Sequence, residues 1–214
     1  MKIYEFDIPK TLLSNLDIVI RDKEDIIKVL LHTIKYISFS ESKKEISNDC
    51  NKIVLVVDKM SRLFFHYEKK IVSFCFPFIV KETDEGLECL FNQTLLDSFA
   101  TSILLSIFND KDVINNGIEK LFEKCIDEFR DYSVCENEDI FYELVNYLIG
   151  FEPGYLRYDY DTENYIEGLH PLKHLDVFYS NNNTAKIGIK NSEDFNISYL
   201  MDVVNTKTNC KYLL

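Results

Sequence analysis

Glycine is scarce in this chain, with six residues in 214. None of the six sits in a G-x-x-x-x-G-K-[ST] or G-x-G-x-x-G pattern. Loops that cradle phosphate with backbone amides need such glycines, so P-loop and dinucleotide-binding chemistry is excluded. The nucleophile elbow G-x-S-x-G and the zinc-protease motif H-E-x-x-H are absent too. The six cysteines, Cys50, Cys75, Cys89, Cys125, Cys135 and Cys210, form no C-x-x-C pair, which removes a zinc ribbon. Cys75, Cys89 and Cys125 lie in apolar periodic segments and read as reduced core thiols. Long hydrophobic runs are also missing. The longest, 53–57 and 71–80, fall far short of the ~18 residues that a spanning helix needs. The N-terminus, Met1-Lys2-Ile3-Tyr4-Glu5-Phe6-Asp7, carries acids early and has no apolar core, so it does not read as a signal peptide. A soluble, cytoplasmic protein with no membrane contact is expected, in which the N-x-S/T sequons at Asn92, Asn182 and Asn196 carry no meaning.

What is present is acid. The formal net charge is −12, and it is uneven: −2 over residues 1–100, −11 over 101–169 and +1 over 170–214. Phosphate backbones and anionic membranes repel such a chain, which disfavours a nucleic-acid substrate without forbidding it. The acidic middle solvates exposed helix faces or docks a basic protein partner. Hydrophobic residues at 46% and charged residues at 28% are an ordinary globular balance, and the length suits a single domain over 1–214.

The periodicities alternate between strand and helix. A short helix is expected from Pro9 to Leu16, and a longer one after the N-cap Asp22, with Ile26, Ile27, Leu30, Leu31 and Ile34 on its apolar side. Strands are expected at 53–58, 62–68 and 71–80, with hairpin-sized linkers that make an antiparallel meander, and another at 86–91. Pro77 cannot donate a ladder hydrogen bond and suggests an edge or a bulge. A helical region spans 91–150, in three stripes: 95–108, including Phe99; Ile114, Ile118, Leu121, Phe122, Cys125, Ile126 and Phe129; and Ile140, Phe141, Leu144, Val145 and Leu148, capped by Asn137. All three read as core. Strands return at 155–161, 174–180 and 185–190, with a polar turn at 181–184. Ser192 caps a last helix that buries Phe195, Leu200, Met201 and Val204. The fold class is α+β, an antiparallel sheet with helices packed on one face.

Residues 151–161 and 169–180 together gather two of the four histidines, one of the four arginines, three aspartates and four tyrosines. Strand alternation puts Arg157, Asp159 and Asp161 on one face of the first strand, and His174, Asp176 and Phe178 on one face of the second. Pairing of the two strands collects Arg157, Asp159, His174 and Asp176, with His170 on the connection and Pro171 stiffening it. Three chemistries suit this set. A histidine can act as general acid/base, oriented by a carboxylate, with Arg157 holding a phosphate or oxyanion. His170, His174 and Asp176, joined by Asp159 or Asp161, can ligate a metal. A buried His–Asp–Arg–Tyr network can hold two strands in register. His32 and His66 read as surface or satisfied core residues.

The run Gly154-Tyr-Leu-Arg157-Tyr-Asp159-Tyr-Asp161, followed by His170-Pro-Leu-Lys-His174-Leu-Asp176, resembles an uncharacterised family of bacterial proteins, a domain of unknown function with an R-Y-D…H-P-x-x-H-x-D signature near its C-terminus. The resemblance covers about residues 150–190 and implies no established activity. The same residues are loosely similar to an Arg-Tyr-Asp…His-x-x-His arrangement in toxin-type ribonucleases of bacterial defence islands, matched here by Arg157, Asp159, His170 and His174. That likeness implies a phosphoester-cleaving protein of a defence or mobile locus. Its catalytic residues would be Arg157, Asp159, His170, His174 and Asp176, with neither cofactor nor metal. The other expectation is a non-enzymatic interaction subunit whose acidic helices, residues 110–167, dock a protein partner.

Overall fold

Among the described residues, ten strands and five helices are arranged in the order β1 (Lys2–Asp7), α1 (Lys23–Ile37), β2 (Lys52–Val57), β3 (Arg62–His66), β4 (Lys70–Cys75), β5 (Ile79–Thr83), β6 (Gly86–Phe91), β7 (Thr94–Leu95), α2 (Ser98–Asn109), α3 (Ile118–Asp131), α4 (Glu138–Gly150), β8 (Leu156–Tyr160), β9 (Lys173–Val177), β10 (Ala185–Gly188) and α5 (Ile197–Val203). The computed structural model describes all residues except 9, 11–18, 47–48, 60, 110–112, 133–137, 181–183, 191–195 and 211–214. The expected helix after Pro9, the turn at 181–183, Cys135, the Asn137 cap, Ser192 and Phe195 lie outside the described residues.

The fold is α+β. Seven strands form an antiparallel sheet in the order β1-β2-β3-β4-β8-β9-β10, and β5-β6-β7 make a second, small sheet. The meander β2-β3-β4 follows from two hairpin-sized linkers. The apolar run 71–80 is two strands in different sheets, not one. The chain leaves β4 where the amide of Cys75 donates to Pro153 O (2.7 Å) and that of Phe76 to Ser61 O (3.0 Å). Pro77, with no N–H to offer, stands at the break before β5. Strand β1 is an addition that alternation alone did not announce. Its central Glu5 is fully buried between Tyr4 and Phe6, with Lys52 Nζ 3.4 Å away.

Both faces of the sheet are covered, which explains why β2 reads as an unbroken Ile-Val-Leu-Val-Val. Ile53 and Leu55 join the main core with α1 to α4, and Val54 and Val56 join a smaller core with Phe64, Ile71, Tyr158 and the short helix α5 on the opposite face. Helix α1 begins at Asp22, whose side chain accepts from the amide of Asp25 (2.9 Å). At its start, Lys23 Nζ donates to Ile149 O and Phe151 O (2.6 Å each), satisfying carbonyls at the end of α4. The stripe of α3 is only half core. Leu121, Cys125 and Phe129 are buried, while Ile118, Phe122 and Ile126 are exposed. Helix α3 packs on α2 and presents its other side to solvent. Phe99 at the start of α2 is exposed as well. Of the thiols, Cys89 and Cys125 are buried, and burial pushes them up to about 12 and about 11. They act as hydrophobes. Cys75 is half-buried. Among the described residues, no helix is long and apolar enough to cross a membrane.

The entry to β8 is pinned by a buried arginine. Arg62 Nε donates to Ser73 Oγ (2.7 Å), and Arg62 Nη2 donates to Gly154 O. Gly154 holds a left-handed backbone (φ +53), and a Cβ there would stand 3.3 Å from both Arg62 Nη1 and Cys75 Sγ. Gly154→Ala is therefore expected to lower the unfolding free energy by about 1–2 kcal/mol, read as a lower urea midpoint at unchanged slope. Burial also pushes the pKa values of His32 and His66 below the ordinary 6.5. The unfolded chain then binds protons that the folded one refuses, so stability is full above about pH 6.5 and declines as the pH falls through the lower folded values. The urea midpoint should fall between pH 7.5 and pH 5, and His66→Gln should reduce that fall.

Candidate functional site

Strands β8 and β9 pair antiparallel, with Arg157 opposite Asp176 and Asp159 opposite His174. Directly paired residues share a face, so these four side chains converge on the side that carries Val72 of β4. Strand β10 extends the same rows, with Lys186 opposite Asp176 and Gly188 opposite His174. Tyr158 and Leu175 point to the other face, into the smaller core.

Arg157 is the centre of the constellation. Its Nε donates to Asp159 Oδ2 and its Nη2 to Asp176 Oδ2, both at 2.6 Å. Burial works against the guanidinium charge, but Tyr155, Asp159 and Asp176 outweigh it and hold its pKa above the ordinary value. Tyr155, buried at the border with the main core, lies against the guanidinium, and burial raises its own pKa. His174 is 1% exposed. Its Nδ1 donates to Pro171 O (2.8 Å), because a carbonyl can only accept. Its Nε2 faces Asp159 Oδ2 at 3.6 Å and Asp176 Oδ1 at 4.0 Å.

The connection from 161 to 172 folds back over this face. Asp161 starts it with an Asx turn, its Oδ1 accepting from the amides of Glu163 and Asn164 at 3.0 Å. Ile166 and His170 bridge to each other around Gly168, which is left-handed (φ +78). Pro171 can rest against β10 because position 188 is glycine: a Cβ there would stand 3.0 Å from Pro171 Cγ. His170 is thereby brought beside His174, ring centroids 4.8 Å apart and edge to face. His170 Nε2 donates to Asp161 Oδ2 (3.1 Å), and Lys186 Nζ donates to His170 Nδ1 (3.0 Å). The backbone N–H and side chain of Asn164, helped by Glu163 and His170, hold the Asp161 carboxyl well below the usual carboxylate range.

All five expected site residues thus fall in one contiguous patch, but they do not share one environment. Arg157, Asp159 and Asp176 form one ion-paired group with His174 sealed behind it. His170 belongs to a second, more open group with Asp161 and Lys186, its side chain 26% exposed. Phe178, expected on the same face, leaves it, because β9 ends at Val177 and Phe178 turns left-handed (φ 75). One partner, Lys186, was missed. Asp161 was expected on the alternating strand face and as an alternative metal ligand, though not among the catalytic residues. Lys186 follows only from the register of β10, which no local pattern gives.

A separate apolar cavity of about 230 Å³ lies beneath α5, lined by residues that include Val56, Phe64, Met201 and Val204. At its rim, Lys207 Nζ already spans both oxygens of Asp58 at 2.6 Å, so the cavity has little chemistry to offer. No family model matches the chain, and no curated protein and no solved structure matches it either.

Removing Arg157 leaves two carboxylates facing each other in a half-dry site. Arg157→Ala is expected to cost about 2–4 kcal/mol of stability. Because Asp176→Asn relieves the same repulsion, the double variant should be less destabilised than the sum of the singles, by about 1 kcal/mol or more in a double-mutant cycle from urea melts.

Proposed function

We propose that the chain cleaves phosphoesters at the exposed end of this patch, in the cytoplasm and in the setting of a bacterial defence or mobile locus that the motif resemblance implies. One observation carries the reading: an Asp161–His170 pair is contacted by Lys186, on the sheet face that also carries Arg157. A carboxylate that fixes one imidazole nitrogen leaves the other as the base, which is the arrangement general acid–base catalysis uses. Asp161 stays ionised and stabilises the imidazolium once it forms. Lys186 covers the basic Nδ1 lone pair in the resting state. A phosphate oxygen drawn between Lys186 and Arg157 takes the ammonium away and frees that lone pair. A water oxygen then bonds to phosphorus, its proton passes to His170 Nδ1, and the ester oxygen departs with its bonding pair and takes a proton from solvent, to which the His170 imidazolium returns its own. His174, sealed and packed edge to face with His170, is a positioning residue, and Asp159 and Asp176 orient Arg157.

A second reading, the interaction subunit, is favoured by a different observation. Ile118, Phe122 and Ile126 form an exposed apolar ridge at i, i+4 and i+8 on α3, within the acidic third of the chain. A partner with an apolar groove rimmed by basic residues fits that ridge.

Hydrolysis of bis(p-nitrophenyl) phosphate, single-stranded RNA and single-stranded DNA, with and without added divalent cations, separates the two readings. Wild-type cleavage of at least one substrate is expected, with kcat reduced about 100-fold or more in His170→Ala and KM raised in Lys186→Ala. A folded wild type that cleaves none of the three and is harmless when expressed would overturn the enzymatic reading and leave the interaction one.

A further inference from the structure

We propose that Asp159, His174 and Asp176 form a binding site for a first-row divalent metal ion such as Zn²⁺ or Mn²⁺. Each residue offers one donor atom to a common point, and the three atoms lie within 4.8 Å of one another. Donors about 2.1 Å from a shared ion stand roughly 3–3.4 Å apart when adjacent. The distances of 3.6 and 4.0 Å from His174 Nε2 to the two carboxylates therefore leave a gap that small side-chain rotations close.

Two features point the donors at an ion rather than at each other. First, Asp176 is 6% exposed, and its Oδ1 is buried with no hydrogen-bond partner, although Oδ2 is engaged by Arg157. An orphaned carboxylate oxygen is costly to bury unless something positive meets it. Second, His174 donates from Nδ1 to Pro171 O, so the neutral ring presents a lone pair on Nε2. This is how a metal-ligating imidazole is held: the far nitrogen is tied to a carbonyl and the near one is free. A proton on Nε2 would find its nearest carboxylate oxygen at 3.6 Å, beyond a good hydrogen bond.

The donor set also selects the ion. An imidazole nitrogen with two carboxylate oxygens suits Zn²⁺, Mn²⁺, Fe²⁺ or Co²⁺, whereas Mg²⁺ and Ca²⁺ prefer oxygen alone. Arg157 is the outer partner that fixes both carboxylates. His170 stays outside the ligand set, since Asp161 and Lys186 occupy both its nitrogens. The site stands whether or not the protein cleaves phosphoesters, because it is argued from donor geometry alone.

The test reads binding, with no substrate present. The full-length chain, stripped by chelator, is titrated with Zn²⁺, Mn²⁺ and Mg²⁺ by calorimetry, and the histidine nitrogens are followed in long-range ¹H–¹⁵N spectra. Zn²⁺ is expected to bind at one site and shift the His174 Nε2 resonance while Nδ1 keeps its proton, with Mg²⁺ much weaker. Asp159→Asn and Asp176→Asn, checked for folding by circular dichroism, should each weaken Zn²⁺ about tenfold or more. An unmoved His174 resonance, equal Zn²⁺ affinity in both variants, or a His174 doubly protonated at pH 7 without metal would each overturn the proposal. The wild-type spectrum decides even if a variant fails to fold.

Discussion

Strand β8 has a neighbour on each side, and its register against both is the constraint from which the two cores and the polar patch follow. Arg157 must stand opposite Val72 of β4 and Asp176 of β9 at once. A slip of one residue would exchange the faces, driving Tyr158 toward the helices and Arg157 into the smaller apolar core. The chain reaches β8 only after the small sheet and three helices, so no short turn sets this register. The setting comes from the buried Arg62, which grips the backbone of Gly154 just before the strand begins. Among the described residues no carboxylate pairs with this cation, and desolvation lowers its pKa, a cost set against a fixed entry point for a distant segment.

The patch itself is built from opposing costs. Two carboxylates close together repel, and taking them out of water is expensive. Arg157 offsets part of this by bridging both, and the loop over His174 keeps water from relieving the rest. Such arrangements stabilise a fold less than apolar packing of the same volume would. Elsewhere the sheet buries mainly Phe, Ile, Leu and Val, interrupted by the Glu5–Lys52 and Arg62–Ser73 pairs.

How far the chain could be read in advance varied with the range of the interaction concerned. Alternation in 155–161 and 174–177 sufficed to put Arg157, Asp159, His174 and Asp176 on one side, because strand period and pairing are local rules. Helices α1, α2 and α4 declared themselves through 3.6-residue stripes. The stripe of α3 was equally clear, yet Ile118, Phe122 and Ile126 are exposed, since periodicity reports that a helix is amphipathic and not how wide a face its neighbours cover. The division at Pro77 was half visible: the proline signalled a fault in a strand, and only the tertiary pairing shows that two sheets meet there. Strand β1 hid behind its buried Glu5, whose cost is offset by Lys52 on another strand. Lys186 was silent for the same reason, as its role exists only through β10.

Gly188 has a consequence out of proportion to its size. It lies across the ladder from His174 and offers that imidazole no side-chain group, yet its missing methyl makes room for the Pro171 ring, whose residue's carbonyl accepts from His174 Nδ1. A bulkier residue would lift the carbonyl away, and the ring would be free to swap which nitrogen bears the hydrogen. An empty volume on one strand thus dictates the tautomer displayed by the next.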